Sequence, residues 1–380
     1  MQKRVLTALL AVIMVISLGT VSALADNTVV MSAEELIFAA DNARDGDVIT
    51  LGANIVMDPT NVSDPASEGL EPLVTIRSDI TLNLNGKTIS LDTSKSEEIE
   101  FPYALSFFSI DGAQLTVIGE GVIDAEADYN TAYCFDVINN GTLVIENGTY
   151  YGAMTVAQVE NGRLKIYGGT FDLAKTIKAE APQYSKYIIN AIDPSYKEDS
   201  AQIAIYGGEY VGFNPSSNPE GDGTSYVTVG AIVTETDAGD EFGVSANTTR
   251  FDNAVAVVNR VYYDDLQDAF DAALTGDTVT LLCDHTINTA YDVNRGIIFD
   301  LGGNTLTLEY AVGTTNAVGL NFKNGNSILT NGTIMDARSK DNTVCGWITA
   351  YVNGKASLTT GNIELYSYQP SSTANYNYIL

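Results

Sequence analysis

The chain has 380 residues, with 19 basic against 48 acidic side chains and a formal charge of −29. A charge of that sign and size excludes nucleic acid or anionic lipid as a partner held by charge. Three cysteines (Cys134, Cys283 and Cys345) are too few, and odd in number, for a disulfide scaffold, so free buried thiols are expected.

The first element is MQKRVLTALLAVIMVISLGTVSALA, in which Lys3 and Arg4 precede an apolar run from Val5 to Leu18 and Ala23-Leu24-Ala25 closes it. That is the pattern of a secretory signal peptide, residues 1–25, cleaved after Ala25; the apolar run is short for a membrane span. Removing it leaves 17 basic and 48 acidic residues, a formal charge of −31. The expected location is secreted or cell-surface, without membrane insertion after cleavage. Solubility alone accounts for the acidity.

A short strand, TVVM, follows, and then Ser32 with Glu35 three residues on, a capping box that opens a helix with Leu36, Ala39, Ala40 and Ala43 on its apolar face. Asp45-Gly46-Asp47 ends the helix. Alternating strands come next, in VITL, VTIRSDITLNLNGKTISLD and AQLTVIGEGVIDA, separated by polar connections of varied length. The stretch from Asn140 to Asp172 then shows the plan of the chain. Leu143, Ile145, Gly148 and Tyr150 recur 21 residues later as Leu164, Ile166, Gly169 and Phe171. They recur again as Ile203, Ile205, Gly208 and Tyr210. Each unit is an alternating strand, a glycine turn and one aromatic residue. A strand with one apolar face cannot form a core alone, so the units must stack on each other. A step near 21 residues per turn of chain suits a right-handed parallel β-helix, and the fold expected is all-β. Asn-Gly pairs at 85, 140, 147 and 161 suit left-handed turn positions and stacked asparagines.

The run Asn214-Pro215-Ser216-Ser217-Asn218-Pro219 breaks the pattern, and two terminal strands follow it. The pattern then restarts: DDLQDAFDAALTGDTVTLL matches AEELIFAADNARDGDVITL, IIFDLGGNTLTL matches ITLNLNGKTISL, and NGTIMDA matches GEGVIDA. Two tandem modules are therefore expected, 26–247 and 248–380, each opened by a short capping helix, the second shorter and incomplete.

The helix-plus-strand pattern LxxAxxxAxxGDxITL, followed by LxLNGxTI, resembles the pectate-lyase-like right-handed β-helix modules of exported proteins of gut Gram-positive bacteria. The segment GGEYVGFNPSSNP resembles the terminal segment of such modules. The resemblance covers nearly all of residues 31–380 and implies the fold. It implies little about function, because this fold hosts lyases, hydrolases, adhesins and tailspikes.

The hydrolases of this fold carry an Asn-Thr-Asp triplet, an Asp-Asp pair, Gly-His-Gly and Arg-Ile-Lys, and none of the four is found here as such. Asp264-Asp265 is an acidic pair, but it sits where a helix cap is needed. His285, the only histidine, lies at a strand end and is expected to be structural or solvated. Arg163 and Lys165 straddle Leu164, so alternation turns both outward, where a lyase base would stand. Asp124, Glu126 and Asp128 alternate onto one side and have the oxygen ligands a calcium ion takes, although a solvated acidic edge explains them as well. Tyr167 and Tyr206 follow inward isoleucines and are expected to face out on adjacent units, where rings can stack on sugars or simply shield the sheet.

Three functions follow as expectations. The first is a non-catalytic adhesion or glycan-binding protein using Tyr167 and Tyr206, with a host or bacterial surface polysaccharide as partner. The second is a polysaccharide lyase or glycoside hydrolase on acidic glycans. The third is a spacer within a larger surface protein.

Overall fold

A computed structural model describes residues 25–62, 70–95, 104–126, 132–175, 187–192, 198–217, 225–310, 318–336 and 348–366. Residues 1–24 of the expected signal peptide, Asp128 and Cys345 lie outside them. Within them the chain is all-β with predominantly parallel sheets, and no helix is long and apolar enough to cross a membrane.

Helix α1 (Ala33–Asp41) begins at Ser32, whose hydroxyl accepts from Glu35 N at 3.3 Å. The Glu35 carboxylate reaches back one residue further than a standard capping box and accepts from Met31 N at 2.7 Å. Leu36 and Ala40 are buried, while Phe38 points to solvent. Helix α2 (Leu266–Ala272) starts the second half, and Asp265 caps it by accepting from Gln267 N and Asp268 N. The Gly-Asp turn after each helix is also duplicated. Asp47 accepts from Arg44 N at 2.9 Å, and Asp277 accepts from Leu274 N at 2.8 Å.

Six sheets follow from the repeat, three in each half. We name those of the first half A, B and C and those of the second D, E and F. From Val48 onward the chain visits A, B and C in strict rotation. One round is Gly141–Ile145 in A, Thr149–Gly152 in B and Thr155–Val159 in C; the next returns to A at Gly162–Ile166. Each strand pairs in parallel with its counterpart one round away, so Leu143 lies beside Leu164 and Leu164 beside Ile203. The second half rotates through D, E and F in the same way from Thr278 to Tyr366.

This register stacks like on like. Tyr150, Phe171 and Tyr210 form a buried ring column with centroids 5.2 and 5.0 Å apart. The phenol groups at its ends are satisfied by turn carbonyls, Tyr150 by Asn147 O at 2.6 Å and Tyr210 by Gly207 O at 2.9 Å. Buried apolar side chains fall into two clusters, one for sheets A to C and one for the second half. The second cluster also takes in Ala204 and Tyr206 from the first half.

The turn from A to B is short because glycine permits it. Gly148, Gly169 and Gly208 have φ of 111°, 109° and 112°, one backbone shape repeated on successive rounds. The four Asn-Gly pairs share no such common shape: Asn85 and Gly86 are both left-handed, but at 147–148 only the glycine is. Connections from A to B use at most three residues, whereas four of the five from B to C take up 58–69, 92–103, 125–131 and 174–188; the fifth is only 153–154. The corresponding corner of the second half carries the connections 309–317 and 337–347. The parallel order of sheet B ends at Gly207–Val211, which pairs antiparallel with Glu241–Ser245, itself antiparallel to Ile232–Glu235. These are the two terminal strands expected from the sequence.

The thiols divide. Cys134 is free and buried, its sulfur 3.4 Å from Tyr151 O, and burial pushes its pKa well up. Cys283 is free but exposed, contrary to expectation, because it follows the end of the Thr278–Leu281 strand instead of lying within one.

The Gly169→Ala variant tests the repeated turn. An added Cβ meets Gly148 O at 3.0 Å and takes on a backbone that L-residues avoid. The expected loss is about 1–3 kcal/mol, read as a lower thermal midpoint. An unchanged midpoint contradicts the role given to the turn.

Candidate functional site

Four of the side chains singled out in the sequence, Arg163, Lys165, Tyr167 and Tyr206, come together, but at a seam between the halves and not on open surface. Alternation does turn Arg163, Lys165, Gln202, Tyr167 and Tyr206 outward from sheet A or its turn. The start of the second half then covers them. The Lys165 ammonium pairs with Asp277, both side chains being largely desolvated at 14% and 6% exposure. Lys165 also donates to Asn259 Oδ1 at 3.3 Å, and Asn259 Nδ2 bridges Tyr206 OH and Asp277 Oδ2, each at 2.6 Å. Arg163 donates to Thr275 O at 2.9 Å and to Thr142 Oγ1 at 3.0 Å. Gln202 and Thr275 exchange two hydrogen bonds, at 2.8 and 2.9 Å. Arg295 pairs with Asp199 at 2.8 Å.

Tyr206 is consequently only 2% exposed, and burial raises its pKa well above the usual phenol range. The expected exposed ladder is a stacked pair, Tyr167 on Tyr206 at 4.8 Å and 10°, with the Arg260 guanidinium 3.8 Å from the centroid of the Tyr167 ring. The alternation was legible in the sequence; the cover was not, because Lys165 and Asp277 are 112 residues apart.

Asp124 lies on sheet B beside Ser90 and Tyr151, and its carboxylate accepts from Glu126 N at 3.0 Å. Burial, with Glu126 nearby, raises its pKa. Among the described residues no three or more His, Cys, Asp or Glu side chains converge as a metal set. His285 is half-buried near Tyr291, and burial lowers its pKa.

A polar face that sequence reasoning missed lies on sheet C. Phe108, Phe135, Ala157 and Ile189 pair in one row and belong to the core. Their strand neighbours Ser109, Asp136 and Gln158 form the next row and turn to the opposite face. Ser106, Tyr133 and Thr155 form another paired row; Ser106 lies between the core residues Leu105 and Phe107, and Tyr133 between Ala132 and Cys134, so this row faces outward too. Five of these, Ser106, Ser109, Asp136, Thr155 and Gln158, are buried although none is apolar.

Thr155 donates to Tyr187 O and Gln158 to Glu160, but Asp136 Oδ1 and Ser106 Oγ find no hydrogen-bond partner among the described residues. Asp136 is 5% exposed, and its pKa is raised to about 7, first by burial and then by the Glu160 carboxylate. Near neutrality this carboxyl exists in both forms, so it can donate or accept a hydrogen bond to a ligand and can pass a proton. The signal in the sequence was a charged residue inside the apolar strand YCFDVI, in register with a glutamine one round on. The long connections from sheet B all lead into this sheet.

No protein-family model, no characterised protein and no solved structure matches the chain.

Asp136 sets a pH dependence. Its folded pKa lies above the unfolded value, so the fold prefers the protonated form. Stability from this group is complete below about pH 4 and declines as the pH rises to about 7. The Asp136→Asn variant, an uncharged mimic, is expected to melt higher than the parent at pH 8 and to flatten its pH profile. Melting curves between pH 4 and 8.5 decide; an unaltered slope contradicts the assignment.

Proposed function

We propose that each half is a right-handed parallel β-helix, residues 26–247 and 248–380, on an exported protein, and that the protein binds glycans without turning them over. The strand rotation A, B, C and the parallel register support the helical winding, and its hand follows from the strong right-handed preference of parallel crossovers. Residues 1–25 would direct export and be removed.

The observation that carries the binding reading is the polar face of sheet C. Hydroxyl, amide and carboxyl groups line this face, two of them with an oxygen unpartnered among the described residues; all are nearly buried, so sugar hydroxyls would pair with them only on displacing what now covers them. Leaving such groups unpaired costs about 1–3 kcal/mol each, which a polyhydroxyl ligand would recover. Arg163 and Lys165 are committed to the seam, which speaks against their use as a lyase base. Calcium enters this reading only through Asp124, Glu126 and Asp128, the last outside the described residues.

A hydrolase is the second reading, favoured by one observation: Asp136 has a raised pKa beside the carboxylate of Glu160. A rigid spacer is what remains if no ligand is found.

The test uses residues 26–380 on a glycan array, with and without calcium, while reducing ends and unsaturated uronides are followed in solution. The expected result is retention without turnover, reduced at least tenfold in Asp136→Asn combined with Gln158→Ala. Turnover lost in that variant supports the hydrolase instead. Absence of both retention and turnover overturns the glycan reading.

A further inference from the structure

We propose that the crease between the two halves is a second binding site, for an anionic sugar ring, with Arg260 as its anchor. The proposal rests on the glycan-binding reading but not on the sheet C face. A cavity of about 630 Å³ opens at the seam, lined by Tyr167, Tyr206, Thr248, Val257, Arg260 and Tyr262. That volume is in the range of small-ligand sites, which favour such boundaries.

Arg260 stands where its backbone is least at ease. Val258 pairs with Val261, so Asn259 and Arg260 form a two-residue hairpin turn, with φ of 50° and 66°. Such turns favour Asn-Gly. Among the described residues seven non-glycine residues have positive φ; six are Asn or Asp, and the seventh is Arg260. A left-handed Arg costs about 1–2 kcal/mol, and backbone strain of this kind is concentrated at functional sites. What the position gains is a guanidinium laid on the Tyr167 ring, with its fork on Glu146 at 2.7 and 3.1 Å.

That fork is available for exchange. The Arg260 side chain is 58% exposed, and ion pairs at such sites add little. A ligand carboxylate or sulfate can take the place of Glu146 in the same two-point geometry. The phenol rings of Tyr167 and Tyr262 offer apolar edges to a sugar ring, and Thr248 offers a hydroxyl. Neutral sugars lack the anchor.

The test is calorimetric titration of residues 26–380 with glucuronate, N-acetylneuraminate, galactose 6-sulfate and galactose. At least one anionic sugar is expected to bind tenfold or more tighter than galactose. Arg260→Gly is expected to abolish that binding without lowering the thermal midpoint, because glycine suits the turn. Glu146→Gln is expected to tighten binding severalfold by freeing the fork. Asp136→Asn with Gln158→Ala is expected to leave it intact. Binding that survives Arg260→Gly, or no preference for anions, overturns this site while leaving the glycan reading in place. If neither these sugars nor any arrayed glycan binds, both readings fall.

Discussion

A parallel stack satisfies its backbone only along its own axis. Each strand in sheets A to C finds partners on the rounds before and after it, and the first and last rounds are left with an open edge and an uncovered core. Most other features of the chain answer that constraint. Helix α1 seats Leu36 and Ala40 over the first rounds. At the far end the chain abandons parallel pairing and folds an antiparallel pair of strands onto sheet B. The glycine turns keep the rounds in step, so that Tyr150, Phe171 and Tyr210 meet ring on ring and the phenols of Tyr150 and Tyr210 each have a carbonyl within reach.

The second half begins by using the flank of the first. Its Gly-Asp turn is built like that of the first half, with the aspartate holding an amide three residues back. In the first half the other oxygen of Asp47 accepts from Asp26 N, a bond within the same half. In the second, the corresponding oxygen of Asp277 takes the Lys165 ammonium across the seam. One duplicated turn thus serves as a local cap in one copy and as a docking point in the other. The difference lies in Lys165 and Asn259, not in the turn.

The fold was legible because its signal is periodic. Leu143 to Leu164 to Ile203 and Gly148 to Gly169 to Gly208 are read directly from the sequence and appear as neighbours in space. So are both helix caps and the restart at Asp265. The chemistry was less legible for two physical reasons. Alternation tells which side of a sheet a residue faces but not what lies against that side, so Tyr206 was expected in solvent and is buried. Asp136 was passed over because its partners, Ser109 and Gln158, are 27 and 22 residues away and only the register brings them into one row. Cys283 was expected to be buried like the other thiols, yet the strand ends just before it.

The functional account therefore turns on the seam. If it is firmly held, Arg163 and Lys165 are removed from chemistry, Tyr206 is buried, and the crease with Arg260 has a fixed shape. Removing Lys165 leaves Asp277 without its cation in a desolvated place, a loss of about 3–5 kcal/mol. Differential scanning calorimetry of residues 26–380 and of Lys165→Ala tests this most directly. The account predicts one cooperative transition for the parent chain and two for the variant. Two separate transitions in the parent, unmoved by Lys165→Ala, would contradict it.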